Sequence, residues 1–221
     1  MLEQSKSAQN RAKKRDAFLQ KGFELFSEKS IESVTLQDVA DASGYGIATL
    51  YRYYGSKASL VVEIATEQWA RFGIDIAKED PEKFFLHMSG AEIFEYYLDA
   101  FIELYRNNKK LLRFNQLFNV YIQTEKIDEE IMEPYEQVIR NLKGRFHLIY
   151  AKGEMDGTIR TDVPEEEMFS TTLHLMLAAV TRYAVGLVYT PQQGFNDEKE
   201  LELQKQMLYK EFVVPSEGKD L

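Results

Sequence analysis

Residues 35–57 read T-L-Q-D-V-A-D-A-S-G-Y-G-I-A-T-L-Y-R-Y-Y-G-S-K, and this stretch predicts two short helices joined by a tight turn. The Thr35 hydroxyl can accept from the free backbone N–H groups of an opening helical turn. Asp38 stands three residues on, where its carboxylate can answer back as in a capping box. Leu36, Val39 and Ala40 recur at i, i+3 and i+4, which gives the first helix one apolar face. Ser43-Gly44 then ends it, Gly44 being suited to the left-handed position just past a helix end. The second helix is predicted over residues 47–54, with Leu50 and Tyr54 facing inward together and Thr49, Arg52 and Tyr53 facing outward. Two helices joined by a three- or four-residue turn with a glycine make a helix-turn-helix unit, whose second helix enters the DNA major groove.

A denser signal lies on the same residues. Thr35-x-x-Asp38-Val39-Ala40, Gly44, and then Thr49-Leu50-Tyr51-x-Tyr53-Tyr54-x-Ser56-Lys57-x-x-Leu60 resemble the DNA-binding domain of TetR-type transcriptional repressors. The resemblance covers about the first quarter of the chain. It implies an operator-binding head, a helical body that dimerises and binds a small effector, and a fourth helix linking the two. Two positions depart from the family's habit. Gly46 and Ile47 stand where small polar or basic residues are common, so base readout is expected to lean on apolar contact and backbone.

Bulk properties bound the rest. The 221 residues suffice for one or two domains with a real core, and 44% hydrophobic with 29% charged is ordinary for a soluble globular chain. There is no cysteine, so disulfides, thiolate metal sites and cysteine nucleophiles are out, in keeping with a cytoplasmic setting. No signal peptide is visible, and the longest apolar run, residues 173–189, is broken by Thr181 and Arg182 and reads as a buried helix rather than a membrane span. The net charge of −9 is distributed unevenly: residues 1–60 hold nine Lys/Arg against seven Asp/Glu (+2), the remainder 18 against 29 (−11). That suits a protein touching DNA with one end only, although chance unevenness gives the same figures.

In chain order, residues 1–10 read as a polar, frayed start. Arg11, Lys13, Lys14 and Arg15 lead into a first helix that runs to about Glu28, with Phe18, Leu19, Gly22, Phe23, Leu25 and Phe26 on its packing face. This basic cluster reads either as phosphate or minor-groove contact or as a solvated helix start. Ser56 caps a fourth helix to about Phe72, and Pro81 is placed to begin the next element. Helices follow at about 91–106, 109–125, 128–152, 165–189 and 197–213, with a loop at 153–164 holding two glycines and a proline, and another at 190–196. The expected architecture is all-α: a helix-turn-helix domain over residues 1–60, a linking helix at 56–72, and a helical effector-binding and dimerisation domain over 61–221.

Geometry and the resemblance together nominate DNA contacts. Thr35 and Gln37 sit where a helix N-terminus suits a phosphate. Tyr45, Gly46, Ile47, Ala48 and Thr49 form the turn and the base-reading end of the second helix. Tyr51, Arg52, Tyr53 and Lys57 look like phosphate contacts; core packing is the alternative for the two tyrosines, solvated surface for the lysine. The body is rich in rings, the whole chain having 13 Tyr, 14 Phe and one Trp. Singly these read as packing. Collectively Phe94, Tyr97, Phe101, Phe114, Phe118 and Tyr121, with His147 and His174, could line a site for an apolar or aromatic effector. No metal spacing, cofactor motif or enzyme signature was found, and residues 165–189 and 197–213 are expected to pair with their copies in a homodimer. Two other classes compete: an all-helical adaptor whose helix-turn-helix only packs, and a helical enzyme or carrier using the aromatic residues as a pocket.

Overall fold

The computed structural model describes residues 2–76, 85–188, 194 and 196–215. Among them the chain forms α1 (Leu2–Glu28), α2 (Leu36–Ser43), α3 (Ile47–Tyr54), α4 (Lys57–Ile76), α5 (Gly90–Asn107), α6 (Lys109–Thr124), α7 (Glu129–Asp156), α8 (Glu165–Ala184) and α9 (Asp197–Phe212). The described residues contain no strand, only an isolated bridge between Ile159 and Val213, so the all-α expectation holds. The expected helix start at Pro81 and the end of the apolar run at Tyr189 lie outside the described residues, as does most of the 190–196 loop.

The chain packs as two units. The first takes the chain up to Phe72 together with Arg113–Val138. Its core holds Phe18, Leu19 and Phe26 of α1, Leu36, Val39 and Ala40 of α2, Leu50 and Tyr54 of α3, and Leu60, Val61 and Ile64 of α4. Phe114, Phe118 and Tyr121 of α6 complete it, with Tyr135 of α7 packed alongside. α1 is longer than expected. Residues 2–10 are helical rather than frayed, because the run to Ala17 has neither Gly nor Pro and consists largely of good helix formers.

The second unit takes Gly73–Leu112 and the chain from Ile139 onward. Phe94 sits 6.2 Å from both Phe146 and Phe212, and Phe146 lies 5.4 Å from Phe169, so rings from α5, α7, α8 and α9 meet in one core. Lys205 of α9 is buried with its ammonium 2.6 Å from Asp99 and 3.2 Å from Glu95, both on α5. The loop expected from residue 153 begins later. Gly153 is buried inside α7 and faces Gly90 of α5; a Cβ at Gly90 would lie 2.3 Å from the Gly153 Cα. Here glycine permits a close approach of two helices, and the helix ends instead before Gly157, at φ +72. Likewise α8 stops at Ala184, short of residue 189, with Gly186 at φ +76 just beyond.

Candidate nucleic-acid interface

The helix pair forms as its local chemistry dictates. Thr35 is extended, its hydroxyl accepts from the Asp38 N–H at 3.1 Å, and the Asp38 carboxylate accepts from the Thr35 N–H at 2.7 Å. The Thr35 hydroxyl also donates to the Asp38 carboxylate at 2.7 Å, and this side-chain hydrogen bond, followed by the backbone one, holds the Asp38 carboxyl below the usual carboxylate range. Gly44 caps α2 at φ 75, and its N–H bonds back to the last turn. Gly46 is the N-cap of α3 and supplies no side-chain acceptor. A side chain there would meet nothing within 4 Å, so the start of the second helix presents bare backbone to its surroundings.

The nominated residues divide by exposure. Thr35, Gln37, Gly46, Ala48, Tyr51 and Arg52 are exposed, Tyr51 at 53%. Gln37 donates to Asp41 at 2.7 Å within its own helix. Tyr45, Ile47 and Thr49 are half-buried, and Tyr45 and Ile47 also pack on the core. Tyr53 is half-buried rather than outward: its ring lies 5.9 Å from Phe18, and its hydroxyl donates to the Arg11 carbonyl at 3.3 Å. Lys57 is half-buried, donates to the Glu32 carbonyl at 3.3 Å and lies 6.0 Å above the Phe26 ring. Loss of water around the ammonium depresses its pKa.

Sequence reading missed the division of labour within the basic run of α1. Arg15 is consumed internally, pairing with Glu63 at 2.5 Å and Glu67 at 3.1 Å on α4. Arg11 and Lys14 instead line a cleft with Arg52 and Tyr53 of α3. The signal was present, since Ser7, Asn10, Arg11 and Lys14 recur at i, i+3, i+4 and i+7.

The effector candidates are not brought together. Phe114, Phe118 and Tyr121 belong to the core of the first unit, where Phe114 meets Phe23 at 5.6 Å and Phe118 meets Tyr135 at 4.8 Å. Phe94, Tyr97 and Phe101 belong to the second unit, with Tyr97 5.4 Å from Phe101 and 5.5 Å from Phe146. The histidines are not core residues. His147 is 63% exposed and sits 2.9 Å from Glu165, and His174 is exposed on α8. Both histidines lie on helices rich in apolar residues, but that setting does not turn them inward: Leu148 beside His147 is 65% exposed and Leu175 beside His174 is 54% exposed.

This geometry defines a helix-turn-helix protein with a helical body. Residues 18–64 match the model of the bacterial regulatory proteins of the tetR family. A TetR family transcriptional regulator from Vibrio parahaemolyticus has the same fold, with a TM-score of 0.65 at 16% identity over 91% of this chain and 100% of that one. The fatty acid degradation regulator FadR of Bacillus halodurans gives 0.68 at 15% identity, covering 89% and 94%. FadR of Bacillus subtilis, in complex with stearoyl-CoA, gives 0.64 at 13%, covering 87% and 96%. No curated protein sequence matches the chain. Residues 18–64 thus match the tetR-family domain, and the chain as a whole shares the fold of these regulators. None of its described helices is long and apolar enough to cross a membrane.

Proposed function

We propose that the chain is a cytoplasmic, non-enzymatic repressor that binds operator DNA as a homodimer and leaves it when a small apolar or aromatic effector binds the body. The observation that carries the reading is the start of α3: a glycine cap without a side chain, then exposed Ala48 and half-exposed Thr49, with exposed Tyr51 and Arg52 one turn on. Ala48, Ile47 and the Thr49 methyl suit a thymine methyl, and the Thr49 hydroxyl suits either hydrogen-bonding partner. Tyr45 and Gly46 hold the turn beside them. Tyr51, Arg52 and the N-terminus of α2, with Thr35 and Gln37, suit phosphates, while Tyr53 and Lys57 set the docking angle through their bonds to α1 and Glu32.

Dimerisation within residues 165–189 and 197–213 is supported by apolar side chains left outside on both helices: Leu175 at 54% on α8, Leu203 at 56% and Met207 at 63% on α9. The effector reading rests on the rings of the second unit, Phe94 and Tyr97 against Phe146 with Phe101 against Tyr97. The test is selection from a random duplex pool with the full chain. Enriched near-palindromes with half-sites about 34–36 Å apart are expected. A pool without enrichment at low salt favours an adaptor whose helix pair only packs.

A further inference from the structure

The family domain matched here begins at residue 18, yet α1 begins at Leu2. The helix therefore extends about four turns ahead of that domain. Ser7, Asn10, Arg11 and Lys14 fall on one face of the extension, spread over about 10 Å of helix axis. They meet Arg52 and Tyr53 of α3 in a cleft of about 720 Å³. The lining has three cations, three further hydrogen-bonding side chains and no carboxylate. The cleft is also braced: the Tyr53 hydroxyl donates to the Arg11 carbonyl, and the Lys14 ammonium lies 5.7 Å above the Tyr45 ring, beside the turn. Neighbouring Arg15 is neutralised by Glu63 and Glu67, whereas no ion pair with Arg11, Lys14 or Arg52 is found among the described residues.

Given the DNA-binding reading above, we propose that this cleft grips the DNA sugar-phosphate backbone, making the N-terminal half of α1 a second contact outside the family domain. Charge complementarity selects a polyanion. Continuity selects duplex DNA, because Arg52 is four residues from Ala48 and shares its face of α3. A strand whose bases meet Ala48 and Thr49 thus carries its phosphates toward Arg52 and on to Arg11 and Lys14. Ser7 and Asn10 donate to the same oxygens, as hydroxyl and amide side chains do at phosphates.

The test uses the full chain and a labelled mixed-sequence duplex of about 30 base pairs, three helical turns. Anisotropy is followed between about 50 and 200 mM salt. The Arg11→Gln/Lys14→Gln double variant is expected to lose roughly tenfold or more in affinity and to flatten the log–log salt slope by about two, equally on unrelated duplexes. Its helical circular dichroism should match wild type, with at most a small fall in melting temperature from the lost Lys14–Tyr45 contact. A double variant with wild-type slope and affinity, alongside an Arg52→Gln variant that loses one unit, overturns the cleft while leaving the DNA reading intact. A loss confined to one duplex sequence also overturns it, since a backbone grip carries no sequence. A wild-type chain that does not bind any duplex at about 50 mM salt defeats the DNA reading itself.

Discussion

At Lys57 two duties meet in one side chain. Its ammonium donates to the Glu32 carbonyl and lies over Phe26, so part of its charge is spent holding the head together. Lys57→Met is therefore expected to lower the stability of the head by about 1 kcal/mol, the net worth of one such hydrogen bond, in a urea melt. Arg52→Gln should leave that melt unchanged and reduce only the salt dependence of DNA binding, because Arg52 is exposed. Thr49→Ala is a third kind of change. It removes a group positioned for base edges, so binding to a selected duplex should fall while binding to mixed-sequence duplex stays level. The sequence separates these roles only partly. Spacing places Leu50 and Tyr54 inward, and both are buried. Tyr53 looks outward by the same rule, yet α1 crosses beside it and Phe18 takes its ring. An eight-residue helix covered from more than one side has no clean polar face for a period to reveal.

Among the elements, starts marked by a capping residue were more legible than stops, whereas the start of α1, which follows no such residue, was not. A helix start is local chemistry: the Thr35–Asp38 box read from the sequence forms, and the structure adds a second box, Ser89–Glu92, at the helix expected from about residue 91. The Asp38 box also sets an acid response. The folded carboxyl titrates below its unfolded value because Thr35 donates to it, so its contribution is complete above the unfolded carboxylate range. That contribution is lost as pH falls through the folded value. Wild type should thus lose its stability advantage over Asp38→Asn as melts are taken from neutral to strongly acid pH; a constant gap would show that the carboxylate is not the cap. Stops follow another logic. Gly157 and Gly186 end helices at positive φ, but Gly153 lies within one and serves a neighbour instead. Nothing within ten residues of Gly153 announces Gly90, which is why a loop was expected from 153. Gly90→Ala brings a methyl against the Gly153 backbone and should cost at least about 1–3 kcal/mol, with the melt as the measure.

For the whole molecule, aromatic content proved a poor guide to a cavity, since one abundance of rings is shared between two cores. Phe114 and Phe118 fill the first unit and Phe94 and Phe146 the second, and a list of aromatic residues does not say which rings meet. The outward apolar residues say more, because a side chain left in water by its own chain lacks a partner. Leu203 and Met207 are four apart on α9 and share one face, and Leu175 stands out from α8. α9 is otherwise strongly charged, with acidic residues through its first turn, so exposed Leu and Met on it go against the composition of its solvent side. Inward, α9 is tied to α5 by Lys205 between Asp99 and Glu95, which fixes the face that points away. A two-fold pairing would cover that face with its own copy. Leu203→Glu with Met207→Glu then sets four carboxylates against one another across the axis. The variant should run as a monomer in light scattering at micromolar concentration while keeping its helical circular dichroism. Its affinity for a palindromic duplex should fall to that for a single half-site. A wild-type chain that is already monomeric at that concentration would reject the dimer, and a dimeric double variant would move the interface off α9.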